Sequence, residues 1–130
     1  MLVECILYVG DQNKSTAFYS QALGIAPSME VPGMTEFSIS ENFKLGLMPE
    51  QGIANIICPI MPQPASGSGI PRCELYLKDE AEKMQSIFDR AQTAGAVLIS
   101  PFEERDWGDT VAYMADLDGH VLALAYSSTK

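Results

Sequence analysis

Apolar and polar residues alternate along VECILYVGD (3–11), with Cys5, Leu7 and Val9 on one side and Glu4, Ile6 and Tyr8 on the other. A period of two over this length predicts a β-strand with one face in a core. The pattern returns 68 residues later in PRCELYLKD (71–79), where Cys73, Leu75, Tyr76 and Asp79 repeat Cys5, Leu7, Tyr8 and Asp11. Four identities in nine positions mark the two runs as copies. After each copy the period lengthens. QNKSTAFYSQALG and EAEKMQSIFDRAQTAG carry apolar residues at helical spacing, so Asp11 and Asp79 stand where an N-cap is wanted and Gly24 and Gly95 where a C-cap glycine belongs.

The copies also end alike. FKLGL (43–47) and HVLAL (120–124) set Leu45 and Leu47 against Leu122 and Leu124 at an offset of 77, and the intervals 28–40 and 97–115 leave room for two short strands in each copy. The predicted order is βαβββ, twice. A period near 70 residues is too long for the common solenoid repeats, so it reads as one duplicated module. The expected organisation is a single domain over 1–130, with module one at about 1–61, a linker at 62–71 and module two at about 71–130. PQPASGSGIP (62–71) has the Pro, Gly and Ser content of a linker. IANIICPIM before it is apolar and reads as an extra strand, a lid over a pocket or part of a subunit contact. In the DLDG turn near the C-terminus, Asp116, Asp118 and Gly119 need only turn-forming chemistry to reverse the chain.

Composition narrows the function classes. Seventeen acidic against eight basic residues give a formal net charge of −9, which disfavours nucleic acid and anionic membranes as partners. The apolar runs are too short to span a bilayer and the first ten residues lack a basic signal-peptide start, so a cytoplasmic location is expected. Cys5, Cys58 and Cys73 form no C-x-x-C pair and suit free thiols in a reducing compartment.

Paired βαβββ modules, the opening ILYVGDQNKSTAFYSQALG and the closing DWGDTVAYMADLDGHVLAL together resemble the vicinal oxygen chelate superfamily, which includes glyoxalase I, bleomycin resistance proteins and extradiol dioxygenases. The resemblance covers nearly the whole chain. It implies an α+β fold in which the modules form a curled mixed β-sheet cup with two main helices outside, a metal or small ligand held in the cup, and a homodimer. Metal-dependent members carry ligands, usually His and Glu, early on each module's first strand and on its last. Carried across, those positions are Glu4, Gly46, Arg72 and Ala123.

Glycine and alanine offer no donor side chain and arginine has no lone pair to give, so no resident metal is expected. A divalent metal returns if the carry-over is out of register, which would promote Glu74; two carboxylates would still make a poor zinc or nickel site. The single histidine, His120, lies at the turn and reads as a solvent-facing residue opening the last strand. Strand alternation places Glu4, Ile6 and Tyr8 on one face, and Arg72, Glu74 and Tyr76 on another, while Cys5, Leu7, Cys73 and Leu75 face the helices. Glu4 and Arg72, equivalent under the pseudo-twofold, read either as a pair where a metal would otherwise sit or as solvated residues at strand starts. Trp107, the single tryptophan, offers a flat ring to cap a ligand, or to cover the cup's rim or a dimer contact.

The expected ligand-binding residues are therefore Glu4, Tyr8, Arg72, Glu74, Tyr76 and Trp107, with no assigned catalytic group. The leading reading is a metal-free binder of a small, cationic aromatic molecule, in the manner of bleomycin resistance proteins. The alternatives are a metal-dependent glyoxalase-like lyase or dioxygenase, and a non-catalytic accessory domain whose cup is filled by protein.

Overall fold

The computed structural model describes residues 1–129. Strand β1 (Val3–Val9), helix α1 (Gln12–Leu23) and strands β2 (Met29–Val31), β3 (Met34–Ser40) and β4 (Phe43–Pro49) form the first module, followed by helix α2 (Glu50–Ile57) and a single 3-10 turn at Pro64–Gly67. Strand β5 (Glu74–Lys78), helix α3 (Ala81–Ala94) and strands β6 (Val97–Glu104), β7 (Asp109–Ala115) and β8 (Val121–Ser127) form the second. The predicted βαβββ order appears twice, in an α+β fold. Each module builds its own four-stranded mixed sheet, β1-β4-β3-β2 and β5-β8-β7-β6, with the first and last strands parallel and the other neighbours antiparallel. The chain divides into two compact units, one of residues 1–20 and 25–68 and one of residues 21–24 and 69–130.

In the first unit the period-two pattern puts Leu7, Val9, Phe37, Leu45 and Leu47 into the core, where Phe18 and Tyr19 of α1 are also buried. Two polar contacts tie the helix to the sheet: the Thr16 and Thr35 hydroxyls share a buried hydrogen bond of 2.8 Å, and Gln12 Nε2 donates to Thr35 Oγ1 at 3.0 Å. Gln12 also spans the β2–β3 turn, donating to the Val31 carbonyl and accepting from the Gly33 amide. The second unit repeats the scheme with Leu75, Leu122, Leu124 and Met114 of the sheet and Met84, Ile87 and Ala91 of α3 buried. Phe88, Phe102 and Tyr126 extend this core as a chain of rings spaced 5.3 and 5.5 Å apart.

Asp11 caps α1 as expected, accepting from the Lys14 amide at 3.0 Å. Gly24 and Gly95 adopt φ of +70° and +114° at the ends of α1 and α3, the left-handed conformation that stops a helix with least strain on glycine. At α3 the N-cap is Glu80 rather than Asp79, and its side chain makes no capping bond. Asp79 stands one residue earlier, accepts from the Glu80 amide at 2.8 Å and pairs with Lys83 at 3.0 Å.

The apolar stretch after β4 is helical, not a strand. Ile53 and Ala54 of α2 are buried while Ile56 on its other side is 70% exposed, an amphipathic arrangement. A short apolar run carries too few residues to separate a period of 3.6 from one of two, which hid this third helix.

At the DLDG turn the buried Asp116 carboxylate accepts from the Asp118 and His120 amides, both at 2.9 Å. Gly119 takes φ +88°, and a Cβ there would lie 2.8 Å from the backbone Cα of Gly69.

Candidate functional site

In each sheet one face packs on the module's core and the other carries the chemistry-bearing residues. On the first sheet this second face takes Glu4, Ile6 and Tyr8 from β1, Lys44 and Gly46 from β4 and Glu36 from β3, placed side by side by the strand register. Gly46 makes room for Glu4: a Cβ at Gly46 would come 2.5 Å from Glu4 Oε2 and 3.0 Å from Ile6 Cγ1. The Glu4 carboxyl lies against β4 with Oε2 buried and without a hydrogen-bond partner. Burial, reinforced by the neighbouring Glu36 carboxyl, raises the Glu4 pKa above its ordinary value of 4.5, and Lys44 opposes the rise without reversing it. Lys44 pairs with Glu36 at 3.4 Å. The charged neighbours that shift Glu4 therefore belong to its own sheet.

On the second sheet the corresponding face holds Glu74, Tyr76 and Lys78 of β5, Ala123 and Ala125 of β8, and Asp109, Val111 and Tyr113 of β7. Tyr76 stands opposite Ala123, yet its hydroxyl donates to Asp109 Oδ2 on the far side of β8, at 2.5 Å. Its ring must therefore cross β8, and the fully buried Ala123 and Ala125 are small enough to let it pass. The other Asp109 oxygen takes an ion pair from Lys78 at 2.8 Å. From the β6–β7 turn, Trp107 Nε1 donates back to the Tyr76 hydroxyl at 2.9 Å. Lys78 first, then Tyr76, hold the Asp109 pKa below its usual 3.8, whereas burial and Asp109 push the Tyr76 phenol up.

Arg105 supports the same turn. Strand β6 is irregular against β7 between Leu98 and Glu103, and Arg105 Nη2 donates at 2.9 Å to both Ser100 Oγ and the Val111 carbonyl across this stretch. Its guanidinium also lies 5.2 Å from the Tyr113 ring centre, within cation–π range.

Of the expected ligand-binding residues, Tyr76 and Trp107 are brought together directly, with Glu74 on the same sheet face as Tyr76. Glu4 and Tyr8 share the face of the first sheet. Arg72 and Cys73 depart from the expected alternation. Both are exposed and precede β5, because β8 begins at Val121 and offers no partner strand to them. Cys73 thus does not face the core, while its counterpart Cys5 is half-buried.

The register between first and last strands also corrects the equivalence of the modules. Glu4 pairs with Lys44, and 77 residues on, Val121 pairs with Glu74. Glu74, not Arg72, is the structural counterpart of Glu4. Asp109, Lys78, Tyr113 and Arg105 escaped sequence reasoning. The DWGD tetrapeptide, with Asp109 two residues after Trp107, is the one local signal that could have pointed to this group.

With this register the family's ligand positions hold Glu4, Gly46, Glu74 and Ala123. That donor set does not fit a zinc or nickel centre: two positions lack a donor, and neither carboxylate is accompanied by an imidazole. Among the described residues no three His, Cys, Asp or Glu side chains gather to hold a metal ion. His120 is half-buried at the DLDG turn, with its amide bonded to Asp116.

Two mixed sheets of identical strand order, each with a helix on one face and polar chemistry on the other, define the class to which comparison then gives a family. The chain belongs to the glyoxalase-like domain family, whose model matches residues 2–128. Its fold is similar to that of a glyoxalase-related enzyme from Fulvimarina pelagi, with a TM-score of 0.81 and 23% identity over 98% of this chain and 88% of that one. It is also similar to a glyoxalase/bleomycin resistance protein/dioxygenase family enzyme from Burkholderia phytofirmans PsJN, with a TM-score of 0.78 and 18% identity over 95% of this chain and 96% of that one. These relationships accord with the vicinal oxygen chelate superfamily. No curated protein is matched by its sequence.

Proposed function

We propose that the chain is a metal-independent binding protein for a small aromatic molecule, of the bleomycin resistance type. The observation that carries this reading is the second sheet's polar face: Tyr76 stands opposite Ala123, where the family's metal position falls, reaches across β8 to Asp109 and meets the exposed Trp107. An exposed indole beside a tyrosine is a surface for stacking rather than for metal chemistry. Glu74 and the net charge of −9 favour a cationic ligand over an anionic one.

The reading is tested by measuring metal in untagged protein made in metal-supplemented medium, using elemental mass spectrometry, and then recording thermal shifts with cationic, neutral and anionic aromatic compounds. The expected result is no stoichiometric metal and stabilisation by the cationic set. Near-stoichiometric nickel, zinc, iron or manganese would overturn the reading in favour of a metal-dependent lyase or dioxygenase, an alternative supported by the equivalence of Glu74 with Glu4. Absence of both metal and any shift would favour an accessory domain.

Family membership also supports a homodimer, as does the exposure of Ile56, Ile60 and Met61, with Ile60 at 90%. Light scattering behind size exclusion would report twice the chain mass of 14.1 kDa. A cytoplasmic location is part of this proposal; among the described residues no helix is long and apolar enough to cross a membrane.

A further inference from the structure

The geometry points to Asp109 as a positioning residue that orients the Trp107 indole through Tyr76, with Lys78 holding Asp109 in turn. The idea rests on the proposed ligand surface for its functional meaning, but the orienting relay exists or fails independently of any ligand.

An indole on a hairpin turn that is 59% exposed would ordinarily exchange between rotamers on a fast timescale. Here the donor and acceptor inventory leaves it one arrangement. Indole Nε1–H only donates and an ionised carboxylate only accepts, so the Tyr76 hydroxyl between them must accept from Trp107 and give its single proton to Asp109. No reversal of this chain is available while Asp109 is ionised. Lys78 at 2.8 Å occupies the second carboxylate oxygen and opposes rotation of the Asp109 side chain away from Tyr76.

The turn's backbone is held as well. Gly108 takes φ +93°, its carbonyl accepts from the Ser128 amide at 2.9 Å, and its amide donates to the Arg105 carbonyl. Both the Cα end and the Nε1 end of Trp107 are thereby anchored to the sheet, leaving ring surface exposed in a set orientation. A ring already held in place loses less entropy when an aromatic ligand stacks on it. Asp109 is itself only 7% exposed, so it acts beneath the surface that it organises.

Trp107 is the single tryptophan, so its spectroscopy reads this relay without interference. The experiment compares wild type with Tyr76→Phe, Asp109→Ala and Asp109→Asn, without ligand, by near-ultraviolet circular dichroism and acrylamide quenching of fluorescence. Tyr76→Phe and Asp109→Ala are expected to weaken the indole dichroism bands and raise the quenching constant about two-fold, as the ring gains freedom. Asp109→Asn, which keeps an acceptor for the Tyr76 proton, is expected to stay closer to wild type.

Tyr76→Phe removes a single oxygen and preserves the ring, which keeps the test available if Asp109→Ala does not fold; far-ultraviolet dichroism and cooperative melting identify the folded variants. Wild-type indole signals in folded Tyr76→Phe would overturn the proposal. Failure of every compound to shift the wild-type melting temperature would instead overturn the ligand reading and leave the relay standing.

Discussion

At the scale of single residues, Glu4 and Asp109 are carboxylates driven in opposite directions by their surroundings. The folded state raises the Glu4 pKa, so Glu4 weakens folding as pH climbs through the ordinary carboxylate value of 4.5 toward its raised folded value. Asp109 is depressed, so its contribution is present above its ordinary 3.8 and is lost as pH falls toward the folded value. We predict that Glu4→Gln raises stability at pH 7 by about 0.5–1 kcal/mol, because the amide can donate to Glu36 instead of repelling it. The gain should shrink below about pH 4, where wild-type Glu4 is already protonated. Urea unfolding at the two pH values checks both parts, and an equal gain at each would count against the raised Glu4. Gly46→Ala should displace the Glu4 carboxyl and cost about 1 kcal/mol, and the cost should fall when Glu4 is also cut to alanine.

At the scale of elements, β8 is more than the partner of β5. Its alternate positions serve two purposes: Leu122 and Leu124 enter the helix-side core, while Ala123 and Ala125 leave a path for Tyr76. We predict that Ala123→Leu costs about 1–3 kcal/mol through overpacking and also loosens Trp107. Thermal melting and the tryptophan signal would then change together. An Ala123→Leu protein with unchanged tryptophan dichroism would show that Tyr76 does not need this path.

The middle strands were placed only by the room left for them, whereas the first and last strands of each module were legible in the sequence from period and repetition, and α1 and α3 from helical spacing ended by Gly24 and Gly95. Helix α2 was not, being eight residues long with apolar neighbours on two sides. Nor was the register of β5, since the identities of Cys5 with Cys73 and Tyr8 with Tyr76 align strands by composition while pairing depends on the partner strand. Tyr76 was legible from strand alternation and Trp107 as the single tryptophan ahead of β7. Asp109 was hidden because its link to Tyr76 depends on two alanines, residues that carry no signal of their own.

At the scale of the whole molecule, the duplication has kept its scaffold and changed its chemistry. Both sheets have the same strand order, yet the first presents a crowded Glu4–Glu36–Lys44 group and the second a relay ending in an exposed indole. Charge belongs to this scale too. With a net charge of −9, association with a cationic ligand should be favoured at low ionic strength and weaken as salt is added. Titrations at about 20 and 200 mM salt would test this, the Debye length falling between them from roughly 20 to 7 Å. An affinity indifferent to salt would mean that recognition rests on stacking alone.

The close approach of Gly119 to Gly69 changes what the segment between the modules is. Its Gly- and Ser-rich composition suggests a tether whose only property is reach, but at Gly69 the backbone passes too near the DLDG turn for a side chain on Gly119. The tether therefore has a moored end. Residues added beside Gly69 would have to dislodge that mooring first.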